Sequence, residues 1–142
     1  MTYKLFLDTN ILLDNMLERR PDGDAACELM RLSESGDVLC TVSATSLNDV
    51  YYVSRRFMTE EQRRGWLAFF LDAFDVAAPT AEVCRRALAS DEPDFEDGII
   101  RALAEAWGAS YIISRDERAF TSSPIPRVSA GEFLELVGAS RS

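Results

Sequence analysis

The run Tyr3-Lys4-Leu5-Phe6-Leu7 is short, nearly continuous in apolar character, and stops at Asp8. A strand with one wet face alternates apolar and polar residues, so an unbroken apolar strand is buried on both faces, as in parallel sheets. Near the other end of the chain Ser110-Tyr111-Ile112-Ile113-Ser114 repeats the pattern and leads to Asp116. Strands of this kind require helices over both faces of their sheet.

The intervening sequence supplies those helices. Thr9 or Asn10 is expected to cap a helix to about Leu17, which Pro21-Asp22-Gly23-Asp24 breaks. Residues 24–35 carry Ala25, Cys27, Leu29, Met30 and Leu32 at helical spacing, with Gly36 as a stop. A second strand is read from Asp37 to Val42. Ser43 then caps a helix over 44–57, and Thr59 starts another that carries Trp66, Leu67, Phe69, Phe70 and Leu71. Phe74 to Ala78 is a third short strand, and Thr80 caps a helix to about Leu88. A helix over about 95–107 ends at Gly108. Arg127-Val128 and a helix from Ala130 to Val137 close the chain. Strands alternating with helices predict a parallel sheet with right-handed crossovers. The length of 142 residues suits one domain, 1–142. In such a sheet ligands bind outside the carboxyl ends of the strands, where the strand order reverses.

Absent residue types restrict the chemistry. With no histidine, catalytic triads, histidine bases and histidine metal sites are excluded. The carboxylates are plentiful, 24 Asp plus Glu, and an oxygen-only donor set suits hard cations such as Mg²⁺ and Mn²⁺. The net charge of −9 argues against coating nucleic acid by bulk attraction. Cys27, Cys40 and Cys84 are odd in number and lack zinc spacing, and are read as reduced core thiols. No apolar run is long enough to cross a membrane, and a cytoplasmic protein without a secretion signal is expected.

Four acids are expected at one edge of the sheet. Asp8 and Asp116 end the two apolar strands. Asp49 lies within two turns of the start of its helix and so near the same edge. Asp97 precedes Ile100, Ala104 and Trp107 on the buried face of its helix, directed at the sheet. Asp94 lies a turn earlier on about the same side, while Glu96 points roughly 100° away and is expected in solvent. Converging carboxylates repel one another and raise each other's pKa values, and a divalent cation removes that penalty.

The ordered set of Phe6-Leu7-Asp8-Thr9-Asn10-Ile11-Leu12-Leu13-Asp14, Val42-Ser43-Ala44-Thr45-Ser46-Leu47-Asn48-Asp49-Val50-Tyr51-Tyr52, Asp94-Phe95-Glu96-Asp97 and Tyr111-Ile112-Ile113-Ser114-Arg115-Asp116 resembles the PIN-domain family of metal-dependent nucleases. The close, Ile125-Pro126-Arg127-Val128 then Glu132-Phe133-Leu134, resembles its VapC-like branch, the toxins of toxin–antitoxin pairs. The resemblance implies a three-layer α/β/α sandwich around a mainly parallel sheet of about five strands. It implies an endoribonuclease that cleaves single-stranded RNA with water activated by Mg²⁺ or Mn²⁺. Asp8, Asp97 and Asp116 match metal-ligand positions, and Asp49 stands where many members carry glutamate. Asn10 and Ser114 match supporting polar positions, and Asp94 is an extra donor. A homodimer inhibited by a small antitoxin protein is the partner expectation. Tyr51, Trp66 and Phe70 are read as a dimer face or as core. Arg55, Arg56, Arg115 and Arg118 are candidates for phosphate contact. One alternative is a catalytically silent scaffold that binds RNA or protein. The other, a phosphatase of the haloacid dehalogenase type, is disfavoured by Asn10 in place of an acid and by the absence of a late lysine.

Overall fold

A computed structural model describes residues 2–17 and 22–141; Pro21 of the expected helix break lies outside them. Five strands form one sheet: β1 (Tyr3–Leu7), β2 (Val38–Ser43), β3 (Asp75–Ala77), β4 (Tyr111–Ile113) and β5 (Arg127–Val128). Their order is β3-β2-β1-β4-β5, and every neighbouring pair is parallel. The helices are α1 (Thr9–Met16), α2 (Gly23–Glu34), α3 (Ala44–Val53), α4 (Glu60–Ala73), α5 (Ala81–Ala89), α6 (Phe95–Trp107) and α7 (Ala130–Arg141).

The alternating directions of β1 side chains explain the layers. Leu5 and Leu7 join Val42, Ile113, Phe70 and Phe133 in one buried cluster, with α1, α2, α4 and α7. Phe6 joins Ile112, Ile100, Leu103 and Phe120 in the other, with α5 and α6. Phe70 is wholly buried, which makes it core rather than a dimer face. Cys40 is buried and its thiol is pushed up to about 12 by burial. Cys27 is exposed, so the expectation of a core thiol fails there.

Element ends differ from expectation for local reasons. Asp8, not Thr9 or Asn10, caps α1, because its carboxylate accepts from the Thr9 N–H and its backbone stays extended. The helix expected over 44–57 stops at Val53: the Ser54 hydroxyl donates back to the Val50 carbonyl at 2.6 Å, and the next three residues tighten into a 3-10 turn. The last helix continues through Gly138, since one glycine costs only about 1 kcal/mol there.

Three consequences of topology place a crevice. The chain steps outward from β1 to β2 to β3, then α5 and α6 return it to β4 on the other side of β1. The order therefore reverses between β1 and β4, which pair with Phe6 opposite Ile112 and Leu7 opposite Ile113. Their carboxyl ends open side by side, and the Asp8 N–H continues the ladder to the Ile113 carbonyl at 2.9 Å.

Helix α6, which delivers residues to that crevice, packs on α5 through Gly98. A Cβ there would lie 2.8 Å from the Ala87 carbonyl oxygen and 2.9 Å from its Cα. Gly98→Ala gains about 1 kcal/mol of helix propensity but overpacks rigid backbone, at about 1–3 kcal/mol. A net loss of about 1–2 kcal/mol is expected, read as a lower urea midpoint; an unchanged or higher midpoint would show that α5 yields freely.

Candidate active site

Asp8 is the anchor of the crevice. It follows β1 directly, is 5% exposed, and is held by three neighbours. The Thr9 N–H donates to Oδ1 at 2.7 Å, the Ser114 hydroxyl to Oδ2 at 2.7 Å, and the Asn10 amide to Oδ2 at 3.3 Å. The same Ser114 oxygen accepts from the Asp116 N–H at 3.1 Å, and Asn10 Oδ1 accepts from the Arg115 N–H at 3.4 Å. Asn10 and Ser114 thus tie the end of β1 to the turn after β4, and they set Asp116 beside Asp8.

The opposite wall comes from α3 and α6. Asp94 caps α6 by accepting from the Asp97 N–H at 2.8 Å. Asp97 is buried on the face that meets the sheet, as its spacing predicts. Asp8, Asp49, Asp94, Glu96, Asp97 and Asp116 all line one cleft of about 340 Å³, together with Thr9, Asn10, Leu13, Tyr52 and Val53.

Glu96 corrects the expectation of a solvated side chain. It lines the cleft and accepts from the Thr9 hydroxyl, which also bonds the Ser46 hydroxyl. The 100° that separates Glu96 from Asp97 turns it toward α1 and α3 instead of toward water. Burial raises its carboxyl to about 8, aided by a hydrogen bond with Asp49 and opposed by Thr9; the charges of Asp49 and Asp8 add to the rise. Burial, then the charges of Asp8, Asp94 and Asp116, raise Asp97 to about 7. Asp8 is raised too, chiefly by burial, although Ser114 and Thr9 hold it back.

Among the described residues little basic charge offsets these acids. Among the described residues, none that lines the cleft is arginine or lysine. Arg115 is turned away: its Nε lies 2.7 Å from the buried Asp14 carboxylate and 3.8 Å from Asp22. Arg118, 90% exposed, reaches Asp116 only at 3.7 Å. Arg55 lies over the Tyr52 ring, and Arg56 is exposed. Sequence reading also missed a brace behind the site. Glu92 accepts from the Phe120 N–H at 2.6 Å, and Arg101 bonds Glu92, Asp91 and the Ser122 carbonyl. It joins the approach to α6 to the loop after Asp116, where Phe120 takes a left-handed φ of 65°.

Hard divalent cations fit this donor set, which is all oxygen and carries an excess of negative charge. Among the described residues no group of three or more His, Cys, Asp or Glu stands as a ready coordination cage. The fit is therefore one of chemistry and charge, with side chains that converge without yet enclosing a point.

A family model described as PIN domain matches residues 4–118. No curated protein shows significant sequence similarity. Solved structures share the fold at low identity. A toxin–antitoxin complex from Klebsiella pneumoniae is 20% identical, with 89% of this chain and 97% of that chain covered and a TM-score of 0.68. VapBC2 from Rickettsia felis, bound to a promoter DNA fragment, is 16% identical over 89% and 98%, with a TM-score of 0.67. VapC20 of Mycobacterium tuberculosis, a toxin that cleaves the sarcin–ricin loop, is 18% identical over 79% and 89%, with a TM-score of 0.65.

The raised carboxyls make the metal-free protein pH-sensitive. Asp97 and Glu96 hold protons more tightly in the folded chain, at about 7 and 8, than at their ordinary 3.8 and 4.5. Between about pH 4 and 8 the native state thus binds more protons than the unfolded state, and stability falls as pH rises. Glu60, Asp91 and Glu132 shift downward, so their contributions are lost only at acid pH below that window. In chelator, Tm is expected to be higher at pH 5 than at pH 8, and Mn²⁺ is expected to raise the pH 8 value. A flat profile from pH 5 to 8 in chelator would show that neither burial nor neighbouring charge raises these acids.

Proposed function

The chain belongs to the PIN domain family, and from that premise and its acid-lined cleft we propose that it is a Mg²⁺- or Mn²⁺-dependent endoribonuclease of single-stranded RNA. The observation that carries this reading is the meeting of six carboxylates at the strand-order reversal with no basic side chain among the cleft's described lining. Such a site discourages an unescorted phosphate and favours one that arrives with cations.

Asp8, Asp97 and Asp116 would hold the ion, and Asp49 would contact it directly or through water. A bound divalent cation supplies charge neutralisation at the phosphate and activation of water. The protein's own work is positional. Ser114, Asn10 and the Thr9 N–H keep the Asp8 carboxylate aimed, since each lone pair they occupy forbids rotation away. Glu96 with its high pKa supports Asp49 from the side of Thr9. The reaction is hydrolysis of a phosphodiester that leaves a 5′-phosphate and a 3′-hydroxyl. Products ending in a 2′,3′-cyclic phosphate would contradict it.

The solved toxin–antitoxin complexes with this fold support an antitoxin partner, and the reading extends this to a small protein that covers the acidic cleft of a homodimer. Coexpression with a small reading frame adjacent to this one tests that part, by copurification and by relief of any growth arrest.

Two variants test the chemistry. Asp97→Asn is expected to lower Mn²⁺-dependent RNA turnover by about 100-fold or more, and Ser114→Ala to weaken Mn²⁺ binding by roughly 10- to 100-fold through a loosened Asp8. Calorimetric titration of Mn²⁺ and gel assays of a labelled single strand read both. Metal affinity and turnover unchanged in Asp97→Asn would support the silent scaffold instead.

A further inference from the structure

The nuclease reading uses only Asp49 of the cleft wall that α3 supplies. On α3, Asp49, Tyr52 and Val53 stand at i, i+3 and i+4, which puts them on one side of the helix. All three line the cleft, while Val50 and Ser54, turned toward the core, are buried. Tyr52 is 61% exposed, so its ring is not part of the core. The Arg55 guanidinium lies 3.8 Å from the ring centroid and is fixed there by its bond to the Tyr52 carbonyl at 2.8 Å.

The adjacent Tyr51 shows what a purely structural version of this stack looks like. Arg63 lies over its ring at 4.3 Å, but Glu60 binds both the Tyr51 hydroxyl and Arg63. That stack is neutralised and closed on itself. Among the described residues no carboxylate pairs with Arg55, and its charge stays available in a chain of net charge −9. A flat ring backed by a free guanidinium, one helical turn from a site acid, matches a nucleotide: base on the ring, phosphate toward the cation.

We propose that Tyr52, backed by Arg55, seats one unpaired nucleobase of the strand whose phosphodiester enters the acid cleft. The assignment rests on the nuclease reading and deepens it. A base inside a duplex has both faces covered by its neighbours, so the seat selects loops, ends and single strands. Because every base has a π face, it selects for exposure of the base more than for its identity. Tyr52 is a binding residue here, and the carboxylates remain the chemical ones.

The test measures binding apart from cleavage. In the Asp97→Asn background, anisotropy of a short labelled oligoadenylate is compared for Tyr52, Tyr52→Ala and Tyr52→Phe, alongside the same strand carrying abasic positions. Tyr52→Ala is expected to weaken binding roughly 5- to 150-fold, the span of one base–aromatic stack. Tyr52→Phe is expected to bind like its parent, and the abasic strand is expected to ignore all three side chains. Equal affinity of the Ala variant and the parent, an equal loss on the abasic strand, or no affinity of the parent for RNA overturns the seat. So does an effect of Tyr52→Ala on self-association alone, which would give the face to a second copy of the chain. Failure of the enzyme reading is distinguishable: wild type would then lack Mn²⁺-dependent turnover while Tyr52-dependent stacking persisted. Conversely, unchanged kcat and KM in Tyr52→Ala beside full wild-type activity removes only the seat.

Discussion

Like charges brought together with little counter-charge among the described residues are the constraint around which this molecule is arranged. Asp8, Asp49, Asp94, Glu96, Asp97 and Asp116 share one cleft, and burial raises three of these acids. Left to themselves, such groups would swing into solvent. They are held by backbone that has other reasons to be where it is: β1 and β4 are locked by apolar contacts on both faces, and α6 is pressed on α5 at Gly98. The core thereby carries the electrostatic cost of the site, which is how a functional region stays less stable than its surroundings.

Much of this was legible in the residues. Continuous apolar runs signal strands covered on both sides, and strands alternating with helices signal parallel order. Those two facts send Asp8 and Asp116 to the same rim. The i+3 and i+7 partners of Asp97 point it at the sheet. Glu96 was misread because rotation about one helix axis tells only which way a side chain leaves that helix. It cannot tell that α1 and α3 wait on that side with Thr9 and Asp49. Asp8 as cap was missed for a related reason: a carboxylate that ends a strand also begins the next helix when no residue separates them.

The arginines were the least legible. Arg55, Arg56, Arg115 and Arg118 look alike in sequence, yet their surroundings differ. Arg115 is bound to a buried aspartate of α1, Arg118 sits over its own turn, and Arg55 is stacked on an exposed ring. Pairing is decided by tertiary neighbours, and nothing in local spacing predicts it. Likewise, the brace of Glu92, Arg101 and Phe120 joins segments 28 positions apart and leaves no periodic signature.

The bond from Ser114 to Asp8 spans 106 positions of the chain. A ribosome adding about 5–20 residues per second takes roughly 5–20 seconds to cover that distance. Throughout that interval the emerging polypeptide carries its first acid without the groups that aim it. Whatever chemistry the cleft performs is thus withheld until Ser114 has emerged, and begins only once β4 has slid in beside β1.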